Sequence, residues 1–231
     1  MDWFTKWTET LYNTFIVSER YKILINGFGK TLLITFGALI IGIIIGTIVA
    51  IIKVFADGNK KLKPLDVICN IYLTVIRGTP VVVQLLIFFF IIFSSAKDGT
   101  WVAIITFGIN SGAYVAEIVR SGIMSIDKGQ FEAGRSLGLN YVQTMWHIVF
   151  PQAFKNILPA LGNEFIVLIK ETSVAGYVAL KDITYVGNLI RSRTYEAFFP
   201  LVTVAVIYLA IVMLLSHFLK KLERRLRNSD H

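Results

Sequence analysis

Residues 31–52 restrict the possible fold of this chain more than any other feature, because none of them carries a charge. About 20 consecutive apolar residues are enough to take an α-helix across the hydrocarbon layer of a bilayer. Inside that layer the backbone must satisfy its own hydrogen bonds, and a helix does so. The segment therefore predicts a membrane-spanning helix around which the rest of the chain must fold.

The composition of the whole chain agrees with this prediction. Of the 231 residues, 55% are hydrophobic and 16% are charged, whereas soluble domains carry about 25% charged residues. Further apolar segments that could span the membrane lie at 65–93, 101–119, 157–177 and 198–218. The sequence thus predicts an all-α integral membrane protein with five spanning helices.

The second of these segments is interrupted by the sequence RGTP at 77–80. Pro80 has no backbone N–H, and its ring disfavours helical geometry at Thr79. We therefore expect a broken helix, of the kind that lines cavities at membrane depth.

The first 20 residues carry aromatic and apolar side chains at helical spacing, namely Trp3, Phe4, Trp7, Leu11, Tyr12, Phe15 and Ile16. They lack the continuous apolar stretch of a signal peptide. Because Trp and Tyr favour the headgroup layer, residues 1–20 are predicted to form an amphipathic helix on the membrane surface. Packing of this helix against the first spanning helix is an equally good interpretation.

Lys and Arg flank the apolar segments unevenly. The segments 53–66, 120–156 and 216–231 contain 13 of them, whereas 1–30, 94–100 and 170–199 contain 9. Because cytoplasmic loops are enriched in Lys and Arg, the first set is predicted to be cytoplasmic. The amino terminus then lies outside and the basic tail 221–231 inside. These flanks explain the net charge of +8 without a nucleic-acid partner.

The sequence predicts neither a metal site nor an ATP site. Cys69 is the only cysteine, and the three histidines are scattered, so neither a disulfide nor a zinc site is expected. The stretch GFGKT at 27–31 ends like a phosphate-binding loop, but Leu24 stands where that loop requires its first glycine. The chain is therefore predicted not to be an enzyme, and ATP-driven work would require another polypeptide.

A polar segment, 127–151, separates the third and fourth apolar segments. Asp127 followed by Gln130 predicts an N-cap with a capping box, and Gly138 suits the left-handed position after a helix end at Leu137. Glu132 is placed in the first turn of this helix, where the helix dipole favours an anion.

A second short helix is predicted in the same segment. Asn140 with Gln143 repeats the capping signature, and the helix should end near Phe150, before Pro151. Short helices with apolar side chains are suited to docking another protein, although a loop that merely packs on its own helices is an equally good interpretation.

Residues 132–151 resemble the EAA signature of ABC importer permeases, E-A-A-x3-G-x9-I-x-L-P. The spacing matches throughout, with Gly134 in place of the second alanine and Phe150 in place of the leucine. The stretches VIRGTPVVVQLLIFFF and LPALGNEFIVLIKETSV resemble the polar amino-acid permeases of the histidine, glutamine and arginine group. The resemblance covers about residues 20–220.

This resemblance implies a type I importer transmembrane domain at 21–220, in the bacterial plasma membrane. It implies a second permease subunit, identical or paralogous, an ATPase dimer that holds ATP and magnesium, and an external amino-acid-binding protein. It also implies that the polar segment forms coupling helices in a groove of the ATPase. The corresponding residues here are Phe131, Glu132, Ala133, Gly134, Leu137, Gly138, Leu139 and Tyr141.

Three ionisable side chains lie within the predicted spans, at Arg77, Glu117 and Glu164. A charge at the bilayer centre costs at least ~2.5 kcal/mol, so such groups usually face a bundle interior or a water-filled cavity. With their polar neighbours they define a candidate translocation cavity, whose predicted substrate-binding residues are Glu164, Asn163, Glu117, Tyr114, Asn110, Ser111 and Arg77.

Two roles stay open for each of the main charged residues. Arg77 either pairs with Glu117 or binds a substrate carboxylate. Glu164 either contacts a substrate cation, which would favour basic amino acids, or serves as a structural acid at a subunit interface. The predicted function is that of a permease subunit, which imports polar amino acids with energy from partner ATPases. Basic amino acids are the predicted substrates if Glu164 contacts a substrate cation. An ATP-independent secondary transporter is the alternative, although no second broken helix is evident.

Overall fold

The computed structural model describes residues 3–57 and 59–227, and within these ranges all regular structure is helical. The helices before the polar segment are α1 (Trp3–Phe15), α2 (Arg20–Ala56), α3 (Lys63–Arg77), α4 (Val81–Ile87) and α5 (Gly99–Met124). The helices from the polar segment onward are α6 (Lys128–Ser136), α7 (Tyr141–Thr144), α8 (Phe150–Glu171), α9 (Ile183–Thr194) and α10 (Phe198–Arg227). Part of the predicted basic tail, 228–231, lies outside the described residues.

Three of the described helices, α2, α5 and α10, are long and apolar enough to cross a membrane. The segments Lys60–Arg77 and Val81–Ile92 together make a fourth candidate, interrupted between Arg77 and Val81. The predicted broken helix is thus confirmed: α3 ends at Arg77, and the N–H of Gly78 donates to the carbonyl of Thr74 at 2.9 Å.

The predicted fourth span begins and ends earlier than expected. Instead of covering 157–177, α8 starts at Phe150, continues directly from a π-helical turn at Met145–Val149, and ends at Glu171. This π-helical turn ends two residues before Pro151. Pro151 has no backbone N–H to donate to the hydrogen bonds of a regular helix. The second short helix therefore does not stop near Pro151 but runs on into α8. Helix α8 is not among the helices that are long and apolar enough to count as candidate spans.

Contacts between residues divide the chain into two compact units. The first consists of Met1–Ala38, Val81–Phe107 and Val167–Leu215. Its core is built from apolar side chains of α1, α2, α9 and α10, namely Phe15, Leu24, Ile183, Val186, Ile190 and Val204.

The amino-terminal helix α1 belongs to this first unit. Trp3 and Phe4 are exposed, at 70% and 71% of their surface. Trp7 meets the rings of Phe198 and Phe199 edge to face, with ring centroids 5.2 Å apart in each case. One side of this helix is therefore packed against the start of α10, and its location on the membrane surface stays a prediction.

The start of α9 in the first unit is fixed by a buried acid. Asp182 is fully buried and caps the helix, accepting the N–H groups of Thr184 at 2.9 Å and Tyr185 at 3.0 Å. Burial raises the pKa of Asp182, although these N–H donors oppose the shift. The hydroxyl of Thr31 accepts the N–H of Ile183 at 3.1 Å, which ties the same point to α2.

The second unit consists of Leu39–Pro80, Gly108–Ile166 and Ser216–His231. Its helices pack closely where side chains are small. A Cβ added at Gly112 would come within 2.8 Å of the Tyr72 hydroxyl and 3.1 Å of Ile45, so α3 and α2 both approach α5 at this residue. The Tyr72 hydroxyl also donates to the carbonyl of Ile109 at 2.6 Å. The absence of a side chain at Gly112 thus allows α2 and α3 to pack closely on α5.

Candidate coupling segment and translocation site

Both short helices of the polar segment form, with different caps. Asp127 caps α6 and accepts the N–H two residues later at 2.6 Å. The predicted capping box at Gln130 is wrong, because the side-chain amide of Gln152 donates to Gln130 at 3.2 Å instead. Glu132 lies in the second turn of α6 rather than the first, so its predicted interaction with the helix dipole is also wrong.

The turn between α6 and α7 follows the prediction. Gly138 has φ of +76°, a left-handed conformation that glycine adopts without a steric penalty. The N–H of Leu139 donates back to the carbonyl of Gly134 at 3.0 Å, which closes the end of α6. Asn140 and Gln143 form the complete capping box, with both bonds at 2.9 Å.

Gly134, the departure from the EAA signature, has a packing explanation. A Cβ at this residue would lie 2.5 Å from Cγ2 and 2.6 Å from Oγ1 of Thr144, which is closer than real contacts allow. Thr144 is itself 1% exposed. The glycine therefore allows α6 and α7 to touch where alanine would push them apart.

The predicted coupling residues divide into an inward set and an outward set. Phe131 and Tyr141 stack on each other with ring centroids 6.0 Å apart, and Tyr141 also meets Phe55 edge to face. Partial burial raises the pKa of Tyr141. Leu137, by contrast, is 76% exposed. Glu132, Ala133 and Gly138 are exposed, whereas Gly134 is buried and Leu139 is half-buried.

Two exposed side chains of the same segment were missed by the sequence analysis. Val142 is 60% exposed and Trp146 is 66% exposed. With Leu137 they are the exposed apolar side chains of this segment that are available for docking. The signal was their spacing of four residues, which places both on one side of a helix.

The acid predicted at the centre of the translocation site is buried and held by one neutral donor. Glu164 is 7% exposed and Ser111 is fully buried. The Ser111 hydroxyl donates to Oε1 of Glu164 at 2.8 Å, and this bond joins α5 to α8. No cation within the described ranges forms an ion pair with this acid.

The other predicted ionisable residues form a different arrangement. Glu117 pairs with Arg120 on the same helix, Oε2 to Nη2 at 3.2 Å. The guanidinium of Arg77 instead lies over the ring of Tyr114, with Cζ 5.5 Å from the ring centroid, a cation–π contact. The predicted pair between Arg77 and Glu117 is therefore wrong: a closer cation on α5 itself takes the acid.

Around these residues lies an open cavity of about 560 Å³, which we call the cationic cavity. Its polar lining consists of Lys53, Asn70, Thr74, Arg77, Glu117 and Arg120. Four of these residues were not predicted: Lys53, Asn70, Thr74 and Arg120. A signal was present for part of this set, because Asp66, Asn70, Thr74 and Arg77 recur at helical spacing on one face of α3.

Lys53 ties this face of α3 to α2. Its ammonium group donates to Asn70 and lies 3.2 Å from Oδ1 of Asp66. Of the predicted site residues, Asn110 is buried at 3% exposure, and Asn163 is exposed and does not share the surroundings of Glu164. Neither Glu164 nor Ser111 is among the residues that line the cationic cavity.

Comparisons with known proteins identify the family. Residues 38–228 match the family described as "Binding-protein-dependent transport system inner membrane component". This chain belongs to that family. It is a multi-pass inner-membrane permease component of an ABC importer, with no catalytic activity of its own, and the alternative of an ATP-independent secondary transporter is excluded.

Individual relatives match this permease over most of its length. It is 37% identical to the arginine transport system permease protein of Bacillus subtilis, over 90% of this chain and 94% of that protein. Identity to the probable glutamine ABC transporter permease protein of the same organism is 35%, over 94% and 99% of the two chains.

A solved structure is also similar to this permease. The structure titled "Crystal structure of an amino acid ABC transporter with histidines" superposes with a TM-score of 0.83 and 39% identity, over 90% of this chain and 96% of that one. The permease fold implied by the EAA resemblance is thereby confirmed. Members of this family act with an ATPase and a binding protein, which supply the energy and the substrate.

Proposed function

We propose that this permease imports polar amino acids and prefers cationic ones, and that Glu164 contacts the substrate cation. The observation that carries the proposal is that the buried Glu164 has no counter-charge among the described residues. The neutral hydroxyl of Ser111 orients Oε1, and no described cation forms an ion pair with the acid. A buried carboxylate without a positive partner is costly, so an ammonium or guanidinium ligand stabilises it.

The names of relatives are consistent with such a substrate class. Arginine and glutamine permeases both align over at least 90% of this chain. The two ligands share an α-ammonium and an α-carboxylate, and arginine adds a planar guanidinium that can bind a carboxylate through two hydrogen bonds.

We assign the α-carboxylate of the substrate to Arg77 in the cationic cavity. Arg77 makes no ion pair with an acid among the described residues and is held by the ring of Tyr114. Glu117 cannot compete for a substrate cation in the same way, because Arg120 already neutralises it.

The permease is proposed to act with an identical or paralogous permease, an ATPase dimer carrying ATP and magnesium, and an external binding protein. Residues 21–220 form the transport domain, and α8 is the fifth spanning helix beside the four apolar candidates. The excess of Lys and Arg supports a cytoplasmic location for the polar segment and the carboxyl terminus. The exposed face of Leu137, Val142 and Trp146 then faces the ATPase.

Equilibrium binding of arginine and of citrulline, its neutral isostere, to the permease–ATPase complex tests the substrate assignment. Glu164→Gln should raise the Kd for arginine about 30-fold, since a hydrogen bond between charged groups contributes ~2 kcal/mol. The Kd for citrulline should stay the same. Glu223→Gln, at an exposed carboxylate of α10 that does not line the cationic cavity, is the control and should leave both values unchanged. An unaltered Kd for arginine in Glu164→Gln overturns the assignment.

ATP hydrolysis tests the docking face. Leu137→Asp should abolish substrate-stimulated hydrolysis by the complex while the permease still inserts into membranes, because a charge replaces an apolar anchor. Tyr195→Asp, at a residue that is 97% exposed outside the segment, serves as the control. Normal stimulation in Leu137→Asp would remove this residue from the interface.

A further inference from the structure

A second basic site lies in the first unit and contains none of the residues assigned to transport. Helices α2 and α9 border a cavity of about 370 Å³. Three cations line it, Lys30, Lys181 and Arg193, and none of its lining residues is an acid. We call it the α2–α9 cavity.

The three cations are not neutralised within the described part of the chain. None of them forms an ion pair there. Asp98 is near enough for Lys30 to contribute to the lowered pKa of its carboxyl, after the larger effect of hydrogen bonds from Thr100. Asp98 nevertheless lies outside ion-pair distance and does not line the cavity. A site of this kind attracts an anion.

Most of the other side chains that line the cavity are apolar. They are Ile23 from α2 and Val186 and Leu189 from α9, beside Asn26 and Gly27. A free inorganic anion or an acidic protein loop would gain nothing from these apolar side chains, whereas a phospholipid can place its phosphate beside the cations and the start of an acyl chain against the apolar lining.

The cavity also lies where a lipid headgroup would be. Lys30 directly precedes the apolar residues 31–52 of α2, and Thr31 accepts the N–H of Ile183 at the start of α9. In the same unit, Trp3 and Phe4 on α1 are exposed. Trp is enriched at the membrane–water interface. The cations are therefore expected at the boundary between hydrocarbon and water.

We propose that the α2–α9 cavity binds the phosphate headgroup of an anionic phospholipid, with Lys30, Lys181 and Arg193 as its ligands. Such a lipid would fasten α9 to α2 at the point where the first long apolar helix enters the bilayer. This role is independent of the substrate assignment, because the residues belong to the other compact unit.

Native mass spectrometry of the full-length chain, released from detergent with phosphatidylglycerol or phosphatidylcholine, tests the proposal. The wild-type chain should retain phosphatidylglycerol in preference to phosphatidylcholine. Lys30→Gln should lower the retained fraction about fivefold, the effect of ~1 kcal/mol for one basic residue near anionic lipid. Lys30→Arg should restore it. Arg191→Gln, an exposed cation of α9 that does not line the cavity, is the matched control and should behave like wild type.

Three results would overturn the lipid site. Equal retention of the two lipids by the wild-type chain would remove headgroup charge as the cause. Displacement of phosphatidylglycerol by millimolar inorganic phosphate would assign the cavity to a small anion. Unchanged retention in Lys30→Gln, together with weaker stimulation of ATP hydrolysis by the binding protein, would assign it to an acidic protein surface.

Discussion

Glu164 and Glu117 are both carboxylates on helices of the second unit, but their surroundings differ in a way that separates their roles. Glu164 is 7% exposed and is held by a neutral hydroxyl. The side chain of Glu117 is 31% exposed and is paired with Arg120 on its own helix. Glu117 is thus already neutralised and partly solvated, whereas Glu164 has no counter-charge within residues 3–57 and 59–227. An intramembrane acid points to a ligand when its charge is not balanced by the protein itself.

Among the remaining predictions, replacing Arg77 in the cationic cavity should have the largest effect on substrate binding. Arg77→Gln removes the only cavity cation assigned to the substrate carboxylate, which arginine and citrulline share. Binding of both ligands should weaken about tenfold, measured as Kd for the permease–ATPase complex. Lys53→Gln is the control, because Lys53 is already engaged by Asp66. A loss confined to arginine would show that Arg77 does not contact the carboxylate.

Removing the donor to Glu164 should have a smaller effect that is selective for arginine. In Ser111→Ala the carboxylate loses the bond to Oε1, and a hydrogen bond contributes ~1 kcal/mol. The Kd for arginine should therefore rise about fivefold, with no change for citrulline. If both ligands bind normally, Ser111 does not orient the acid for binding.

The ion pair of Glu117 should contribute least. A double-mutant cycle with Glu117→Gln and Arg120→Gln, followed by thermal unfolding in detergent, should give a coupling free energy of about 0.3–0.5 kcal/mol, as for other partly exposed pairs four or fewer residues apart. A coupling above about 2 kcal/mol would mean that this pair is as critical as a buried one.

Sequence reasoning predicted the short helices better than the polar residues of the spans. The cap at Asn140 and the left-handed turn at Gly138 depend on local residues, so their geometry followed from the sequence. The partner of Glu117 was harder to predict, because two cations could pair with it. Arg120 follows three residues later on the same helix and forms the ion pair, whereas Arg77 lies on another helix and contacts the ring of Tyr114.

The start of α8 was missed for a related reason. Hydropathy marks where a chain becomes apolar, not where its helix begins, and α8 begins at Phe150, seven residues before the predicted span. The packing of Gly134 against Thr144 was also beyond prediction, since it requires knowing that two short helices touch. Asn110 is buried and Asn163 is exposed because of how α5 and α8 are rotated about their own axes. That rotation cannot be inferred from the position of either residue in the sequence.

The most direct test of the central claim is the range of amino acids that stimulate ATP hydrolysis. The permease would be reconstituted in liposomes with its ATPase and its binding protein, and hydrolysis would be measured with arginine, lysine, glutamine and glutamate. The account predicts the strongest stimulation with arginine or lysine, because the unbalanced Glu164 favours a side-chain cation. Stimulation by glutamate, or by glutamine without the two cationic amino acids, would contradict it.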